Sequence, residues 1–218
     1  MYKEKRSFQY LNSHSYYLAN KCELFYTALK NADYLRAGGI SILLANKYLK
    51  LFSVSLEKVA FNHFFFHFEG DKLLSHSGYR IFLLGSTSET LETIFTNNFC
   101  NKNKLNLIKN HHGYFSEDKD NEVVFLINES KVNILLVGLG TPKSDYWIVK
   151  NKKFLNNMAI ISVGNFFDIW AGKTRIAPRI LFNSPFEWIF RLIQSPNNLL
   201  LRYLFSNTYF ILRMLRNG

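Results

Sequence analysis

Four glycines each follow a run of apolar residues, and a lysine stands shortly after two of them. The glycines are Gly85, Gly138, Gly140 and Gly164, and the lysine is Lys143. A glycine turn that opens a helix presents backbone N–H groups to phosphate oxygens, and a cation one turn into that helix attracts the same group. Each glycine alone could simply form a tight turn, but their repetition at one edge predicts a site for a phosphate-bearing ligand.

Strands and helices alternate around these glycines. Apolar runs predict strands at 80–85, 105–108, 133–140 and 158–164. Capping residues and apolar spacing predict helices at 86–100, 117–130 and 143–155. This alternation is typical of a parallel sheet covered on both faces. We therefore predict an α/β fold, Rossmann-like, with a mostly parallel sheet and helices on both faces.

The first 75 residues are less regular. A helix is predicted over 16–30, and 32–49 is expected to contain a strand, a turn at Gly38-Gly39 and a helix. The aromatic and histidine-containing segment 61–68 stays unassigned.

Composition narrows the class of protein. The chain has 218 residues, of which 48% are hydrophobic and 20% charged, as expected for one folded domain with room for an appendage. Its net charge of +11 favours anionic partners.

Cys22 and Cys100 fit packing roles in a reducing compartment. The N-terminus lacks a signal-like apolar region, and no run approaches ~18 apolar residues, so we expect a cytoplasmic protein that can rest on a membrane.

The last part of the chain carries more than half of the charge excess. From Lys173 onward the net charge is +6, and Glu187 is the only acidic side chain. Ser184 to Glu187 has the pattern of a capping box and predicts a helix to about Gln194. A second helix, predicted at 199–215, is apolar with interspersed arginines, which is typical of a membrane-surface or partner-binding helix, although an ordinary packed terminal helix would also fit. We predict an α/β core over 1–178 and a basic helical C-terminal appendage over 179–218.

An ordered set of motifs adds a resemblance to this picture. The set is Val137-Gly-Leu-Gly-Thr-Pro-Lys143 with Trp147, Ser162-Val-Gly-Asn-Phe-Phe-Asp168, Ala171-Gly172, Ala177-Pro178, Glu187-Trp188 and Arg191-Leu192. In this order the motifs resemble those of the WecG/TagA/CpsF glycosyltransferases, and the likeness covers nearly the whole chain.

The resemblance implies an inverting transferase at the inner face of the cytoplasmic membrane. It would move a hexose or N-acetylhexosamine-type sugar from a UDP donor to a polyprenyl-diphosphate-linked sugar in cell-surface polysaccharide synthesis. It implies no metal and no cofactor, with the UDP-sugar as the donor substrate. The expected partners are the two substrates and an anionic membrane surface; exposed apolar surface is compatible with a homo-oligomer.

The resemblance, together with the glycine turns, predicts the site residues. We expect the nucleotide-sugar to contact Asn12, Gly85, Gly138, Gly140, Pro142, Lys143, Asp145, Gly164 and Asp168. The acceptor, its diphosphate or the membrane is expected to meet Arg175, Arg179, Glu187, Arg191 and Arg202.

The catalytic base is where this chain departs from the family pattern. Aligning Ala32-Asp33 with the start of the family motif puts Gly38 at the position of the catalytic Asp, and glycine cannot accept a proton. Asp33, His63 and Asp168 are the remaining candidates; Asp168 also fits an orienting role, and His63 a packed histidine.

Two explanations of this departure stay open. The protein could be an active transferase that uses another base, or a member that binds nucleotide-sugar or acceptor without turnover. Nucleic-acid binding is disfavoured, because no known recognition motif is present and the cations are concentrated in the tail.

Overall fold

A parallel six-stranded sheet forms the centre of the protein. The computed structural model describes residues 4–49, 61–67, 70–75, 78–96, 105–182, 184 and 186–217. The strands are β1 (Arg6–Leu11), β2 (Tyr34–Ala37), β3 (Ile81–Gly85), β4 (Leu107–His111), β5 (Ile134–Gly138) and β6 (Ala159–Ser162). Their order is β2-β1-β6-β5-β3-β4, and every neighbouring pair is parallel. The predicted α/β class is confirmed.

The sequence pattern missed β1 and placed β4 too early. The prediction at 105–108 is wrong by about two residues, since β4 begins at Leu107. Strand β1 escaped notice because its inward side chains include Ser7 and Gln9, both completely buried and both polar. An alternation of polar and aromatic residues hides a buried strand from a search for apolar runs.

Eleven α-helices are described. They are α1 (Ser13–Lys21), α2 (Glu23–Lys30), α3 (Ile40–Leu49), α4 (Phe61–His67), α5 (Gly70–Leu74), α6 (Ser88–Thr96), α7 (Asp120–Glu129), α8 (Lys143–Asn151), α9 (Phe166–Trp170), α10 (Glu187–Gln194) and α11 (Pro196–Asn217). The single helix predicted over 16–30 is wrong, because Cys22 has extended backbone angles and separates α1 from α2. Residues 97–100, including Cys100, lie outside the described residues.

Helices cover both faces of the sheet, and β3 explains why. Ile81 and Leu83 pack with α4, α6 and α9, whereas Phe82 and Leu84 pack with α7 and α8. A strand whose successive side chains enter two separate cores must be apolar throughout. This is the pattern from which the parallel sheet was predicted.

The C-terminal helix α11 lies against the N-terminal part of the core. The ring of Phe210 packs with Ala37, Ile42 and Ala45, and its edge meets Tyr16. Ser206 hydrogen-bonds His14 at 2.8 Å, and Asn207 accepts a hydrogen bond from Ser13 at 2.6 Å. The helix is therefore packed along one side, while the division of the chain at residue 178 stays a prediction.

The capping box predicted at Ser184 does not form. Helix α10 begins at Glu187, and the preceding Phe186 gives it no side-chain cap. The carboxylate of Glu187 instead contacts His63 and Arg191. Among the residues that the structure describes, no helix combines the length and apolar character needed to cross a bilayer.

Candidate functional site

A cleft of about 760 Å³ opens at the carboxyl edge of the sheet. It lies above the junction of β3 and β5, where Gly85 is paired with Gly138. After β3 the chain continues to β4 on one side of this junction, and after β5 it continues to β6 on the other side. In open parallel sheets such a switch point is the usual place for a ligand.

The floor of the cleft depends on glycine. Gly85 has φ +139°, and a Cβ atom there would lie 2.4 Å from the carbonyl carbon of Gly138. Gly140, with φ +84°, has open space where its side chain would be. The first glycine thus allows two strand ends to approach, and the second turns the chain toward the ligand space.

The first turn of α8 borders the cleft. Its N-cap residue, Pro142, offers no side-chain hydrogen bond. The N–H groups of Ser144 and Asp145 already donate to the carbonyls of Gly140 and Pro142, so Lys143 carries the backbone N–H of this turn that stays available to a ligand. Lys143 donates a hydrogen bond to the carbonyl of Gly113 at 2.9 Å, and its ammonium lies 5.2 Å from the ring centre of Phe115. This turn therefore combines a helix-terminal N–H group with an exposed cation, an arrangement that suits phosphate.

Asp168 is the single acidic side chain that lines the cleft within the described part of the chain. Its Oδ1 accepts a hydrogen bond from Ser86 Oγ at 3.1 Å. Ser86 has φ +54°, an unusual conformation for a non-glycine residue, and follows β3 directly. The hydrogen bond from Ser86 thus orients the Asp168 carboxylate through Oδ1, and Ser86 does not bind Oδ2.

Arginines supply the opposite side of the cleft. Arg175, Arg191 and Arg202 line it, together with Tyr203. Burial lowers the pKa of Arg202, and the positive charge of Arg191 lowers it further. The Nε atom of Arg202 is buried without a hydrogen-bond partner. Two neighbouring guanidinium groups with an unused buried donor form a strongly anion-attracting surface.

Nine of the predicted binding residues line the cleft. They are Asn12, Gly138, Gly140, Lys143, Gly164, Asp168, Arg175, Arg191 and Arg202. The structure does not bring the others to its wall. Gly85 lies below the floor, Pro142 caps α8, Arg179 sits in the 3-10 turn Arg179–Leu181, and Glu187 is buried.

Asp145 is buried rather than exposed to the cleft. Only 3% of the residue is accessible, and this burial raises the pKa of its carboxyl to about 7. The side chain belongs to the first turn of α8, but it does not line the cleft. Its expected contact with the nucleotide-sugar is therefore not supported by the geometry.

Two of the three candidate bases lie away from the cleft. Asp33 precedes β2, at the opposite edge of the sheet, and its Oδ2 accepts hydrogen bonds from Ser7 and Lys152. Burial raises the pKa of Asp33, but these hydrogen bonds outweigh it and lower the pKa overall. His63 is fully buried, with its Nε2 3.2 Å from Glu187 Oε1. Asp168 alone among the three can reach a bound ligand.

Gly38 directly follows β2, at the position that the resemblance aligns with a catalytic Asp. Its N–H donates to the carbonyl of Leu11 at 2.7 Å. A Cβ atom on Gly38 would lie 3.0 Å from the Cβ of Tyr10. Among the described residues, the Cβ of Tyr10 is therefore the atom nearest to a side chain at this position.

Several polar residues of the cleft were not predicted. They are Asn62, Ser86, Thr87, Thr90, Asn165, Thr174, Ser195 and Tyr203. Ser86 and Thr87 could have been found, because they follow Gly85 at the end of a buried strand. Asn62 and Ser195 carry no such signal, since they reach the cleft through the packing of distant helices.

Comparison with known proteins agrees with this architecture. The model of the glycosyl transferase WecG/TagA/CpsF family matches residues 2–218. The chain belongs to this family. This confirms the resemblance drawn from the ordered motifs, and it adds that the likeness extends through α11.

Two curated relatives match this protein over about half of its chain. The N-acetylglucosaminyldiphosphoundecaprenol N-acetyl-beta-D-mannosaminyltransferase of Staphylococcus aureus strain MW2 is 30% identical over 118 residues. That segment is 53% of this chain and 45% of the relative. The protein of the same name from strain NCTC 8325 / PS 47 is 30% identical over 116 residues, which are 52% of this chain and 44% of the relative. The match thus spans less than half of each relative.

Proposed function

We propose that this protein is a glycosyltransferase that moves a hexose or N-acetylhexosamine from a UDP donor to a polyprenyl-diphosphate-linked sugar. Both Staphylococcus relatives are named for transfer of N-acetylmannosamine to an N-acetylglucosaminyl-diphosphoundecaprenol. The observation that carries the proposal is the cleft itself, which is lined by the start of α8 with Lys143 and by three arginines. Such a cleft is suited to two phosphate-bearing substrates.

The donor is assigned to the side of the cleft formed by β5 and α8. The turn from Gly138 to Gly140 and the first turn of α8 would hold the UDP diphosphate, and Lys143 would neutralise charge that develops as UDP leaves. Placing the leaving group at fixed donors accelerates transfer, because these donors need no reorganisation during the reaction.

The acceptor diphosphate is assigned to the arginine side. Arg191 and Arg202 lie on α10 and α11, the two helices that also carry exposed apolar residues. A lipid-linked diphosphate has a charged head and an apolar chain. It could place its head on these arginines while the chain follows the apolar surface toward a bilayer.

Asp168 is the proposed base. It would take the proton from the attacking hydroxyl of the acceptor, and Ser86 would keep its carboxylate turned toward the ligand. This assignment rests on position, since Asp168 is the one described acidic side chain on the cleft wall.

The exposed apolar surface of α10 and α11 is the proposed contact with the anionic membrane. On α11 its residues recur at helical spacing: Leu200, Leu201, Leu204, Phe205, Ile211, Leu212 and Leu215. Leu204→Glu is expected to abolish flotation with vesicles that contain anionic lipid. Leu73→Glu, which adds the same charge at an exposed leucine on α5, is the matched control. Equal flotation of both variants would reject this surface.

The second candidate function is binding without turnover. It is favoured by one observation, the glycine at position 38 beside Tyr10. In this case the protein would bind a UDP-sugar or the lipid-linked acceptor and release it unchanged.

The experiment that separates the two measures UDP release from a panel of UDP-sugars, with and without a polyprenyl-diphosphate-linked sugar. Acceptor-dependent release is expected for at least one donor. UDP binding by calorimetry without release above the blank would establish the second candidate instead. Absence of both binding and release would reject the proposed function.

A further inference from the structure

Glu187 is a buried carboxylate that sits directly behind the arginine side of the cleft. It is the first residue of α10, it is 7% exposed, and it does not line the cleft. Acidic side chains are seldom buried unless their charge is paired, so its contacts need an explanation.

A single oxygen of Glu187 joins two helices. Its Oε1 lies 3.2 Å from Nε2 of His63 on α4 and 3.1 Å from Nη2 of Arg191, one turn later on α10. His63 is fully buried, and the ring of Phe182 lies 4.4 Å from its own. The histidine is thus a fixed anchor, whereas Arg191 keeps about a third of its side chain exposed toward the cleft.

Charge explains why Arg191 needs such a contact. Its guanidinium is close enough to Arg202 to lower the pKa of that residue, so the two cations repel each other. A long arginine side chain beside a like charge would turn toward solvent when no anion is bound. The Glu187 carboxylate opposes this movement, because it offers Arg191 an ion pair at the base of the cleft.

We propose that Glu187 is a positioning residue, which holds the Arg191 guanidinium at the cleft wall and is itself fixed by His63. The proposal rests on the proposed function, in which Arg191 binds a diphosphate. It adds that the cation is preorganised before ligand arrives, which improves affinity because less freedom is lost on binding. Glu187 touches neither substrate and acts only through Arg191.

A double-mutant cycle tests this role, with inorganic pyrophosphate as the calorimetric probe. Glu187→Gln is expected to weaken pyrophosphate binding about tenfold in the wild-type background and less than about twofold in the Arg191→Gln background. His63→Gln should weaken binding by an intermediate factor and serves if Glu187→Gln does not fold. An equal loss in both backgrounds, or no loss in the wild-type background, would overturn the positioning role and leave the proposed function untouched.

A second measurement does not need a ligand. The rate at which phenylglyoxal modifies Arg191, followed by mass spectrometry, is expected to rise severalfold in Glu187→Gln. Modification of Arg213, exposed on α11, should not change. An unchanged rate at Arg191 would overturn the proposal. Wild-type protein that binds no pyrophosphate and no UDP would instead count against the proposed function, and the modification rates would still decide the role of Glu187.

Discussion

The two sides of the cleft are built by different means. On the side of β3 and β5 the ligand space is bounded by backbone, with glycine turns and the first turn of a helix. On the side of α10 and α11 it is bounded by long arginine side chains that come from helices packed on α1 and α4. The first side is held by strand ends, by the turns that directly follow them and by the start of a helix. The second depends on contacts between distant parts of the chain.

This difference separates what each side can contribute to transfer. Fixed backbone donors and an oriented carboxylate suit the reacting centre, where small displacements are costly. Flexible cations suit recognition of a charged head group, which tolerates some variation in position.

The largest effect is expected from Asp168→Asn, which removes the proposed base but keeps the hydrogen bond from Ser86. Loss of a general base typically lowers turnover by about 10²- to 10⁴-fold. UDP release should fall by that factor, while the Kd for UDP changes less than about threefold. Asp118→Asn, at the exposed turn before α7, is the control and should keep wild-type rates. Full activity of Asp168→Asn would contradict the assignment.

Gly85→Ala tests whether the floor of the cleft is rigid. The new Cβ would overlap the backbone of Gly138 in a conformation that disfavours side chains, so the loss should exceed about 3 kcal/mol of unfolding free energy. Gly140→Ala, with positive φ but open space, should cost about 1 kcal/mol. Urea denaturation measures both. Similar losses would mean that the two strand ends can separate easily.

Arg202→Gln probes the arginine side. A hydrogen bond to a charged group contributes about 1.5–3 kcal/mol, so pyrophosphate affinity should fall about tenfold or more. Arg213→Gln removes the same charge from an exposed position on the same helix and should change affinity less than about twofold. If both substitutions weaken binding equally, general positive charge and not the cleft arginines attracts the anion.

Asp145→Asn probes the buried carboxyl in the first turn of α8. Burial raises the pKa of Asp145 to about 7, so the folded state holds the proton more tightly than the unfolded chain, and stability falls as pH rises from about 4 to about 7. The variant should therefore have a higher Tm than the wild type at pH 8, where this loss is complete, and a similar Tm at about pH 3, below both pKa values. The exposed Glu129→Gln is the control. A difference independent of pH would show that Asp145 is not buried as a titrating group.

The sheet side was predictable from the sequence to a large extent. Apolar runs that end in glycine place Gly138, Gly140 and Gly164 at one edge of a parallel sheet, and in the structure all three line the cleft. The same sequence pattern did not distinguish Gly85, which allows two strands to pack closely, from the glycines that line the cleft. It also could not tell that Asp145 points into the protein.

The arginine side was less predictable, because charge along a helix does not specify which neighbours it meets. The tail cations were recognised, and Arg175, Arg191 and Arg202 do line the cleft, but Arg179 does not. Glu187 was expected to cap a helix or meet the acceptor. Its contact with His63, 124 residues earlier in the chain, depends on the packing of α4 against α10 and has no local signal.

A crystal structure with UDP bound would decide whether this cleft is the nucleotide-sugar site. We expect the diphosphate at the Gly138–Gly140 turn, within hydrogen-bonding distance of the first turn of α8, with Asp168 facing the space left for the sugar. A nucleotide bound elsewhere, or one whose diphosphate lies away from this turn at saturating UDP, would show that the cleft is not that site.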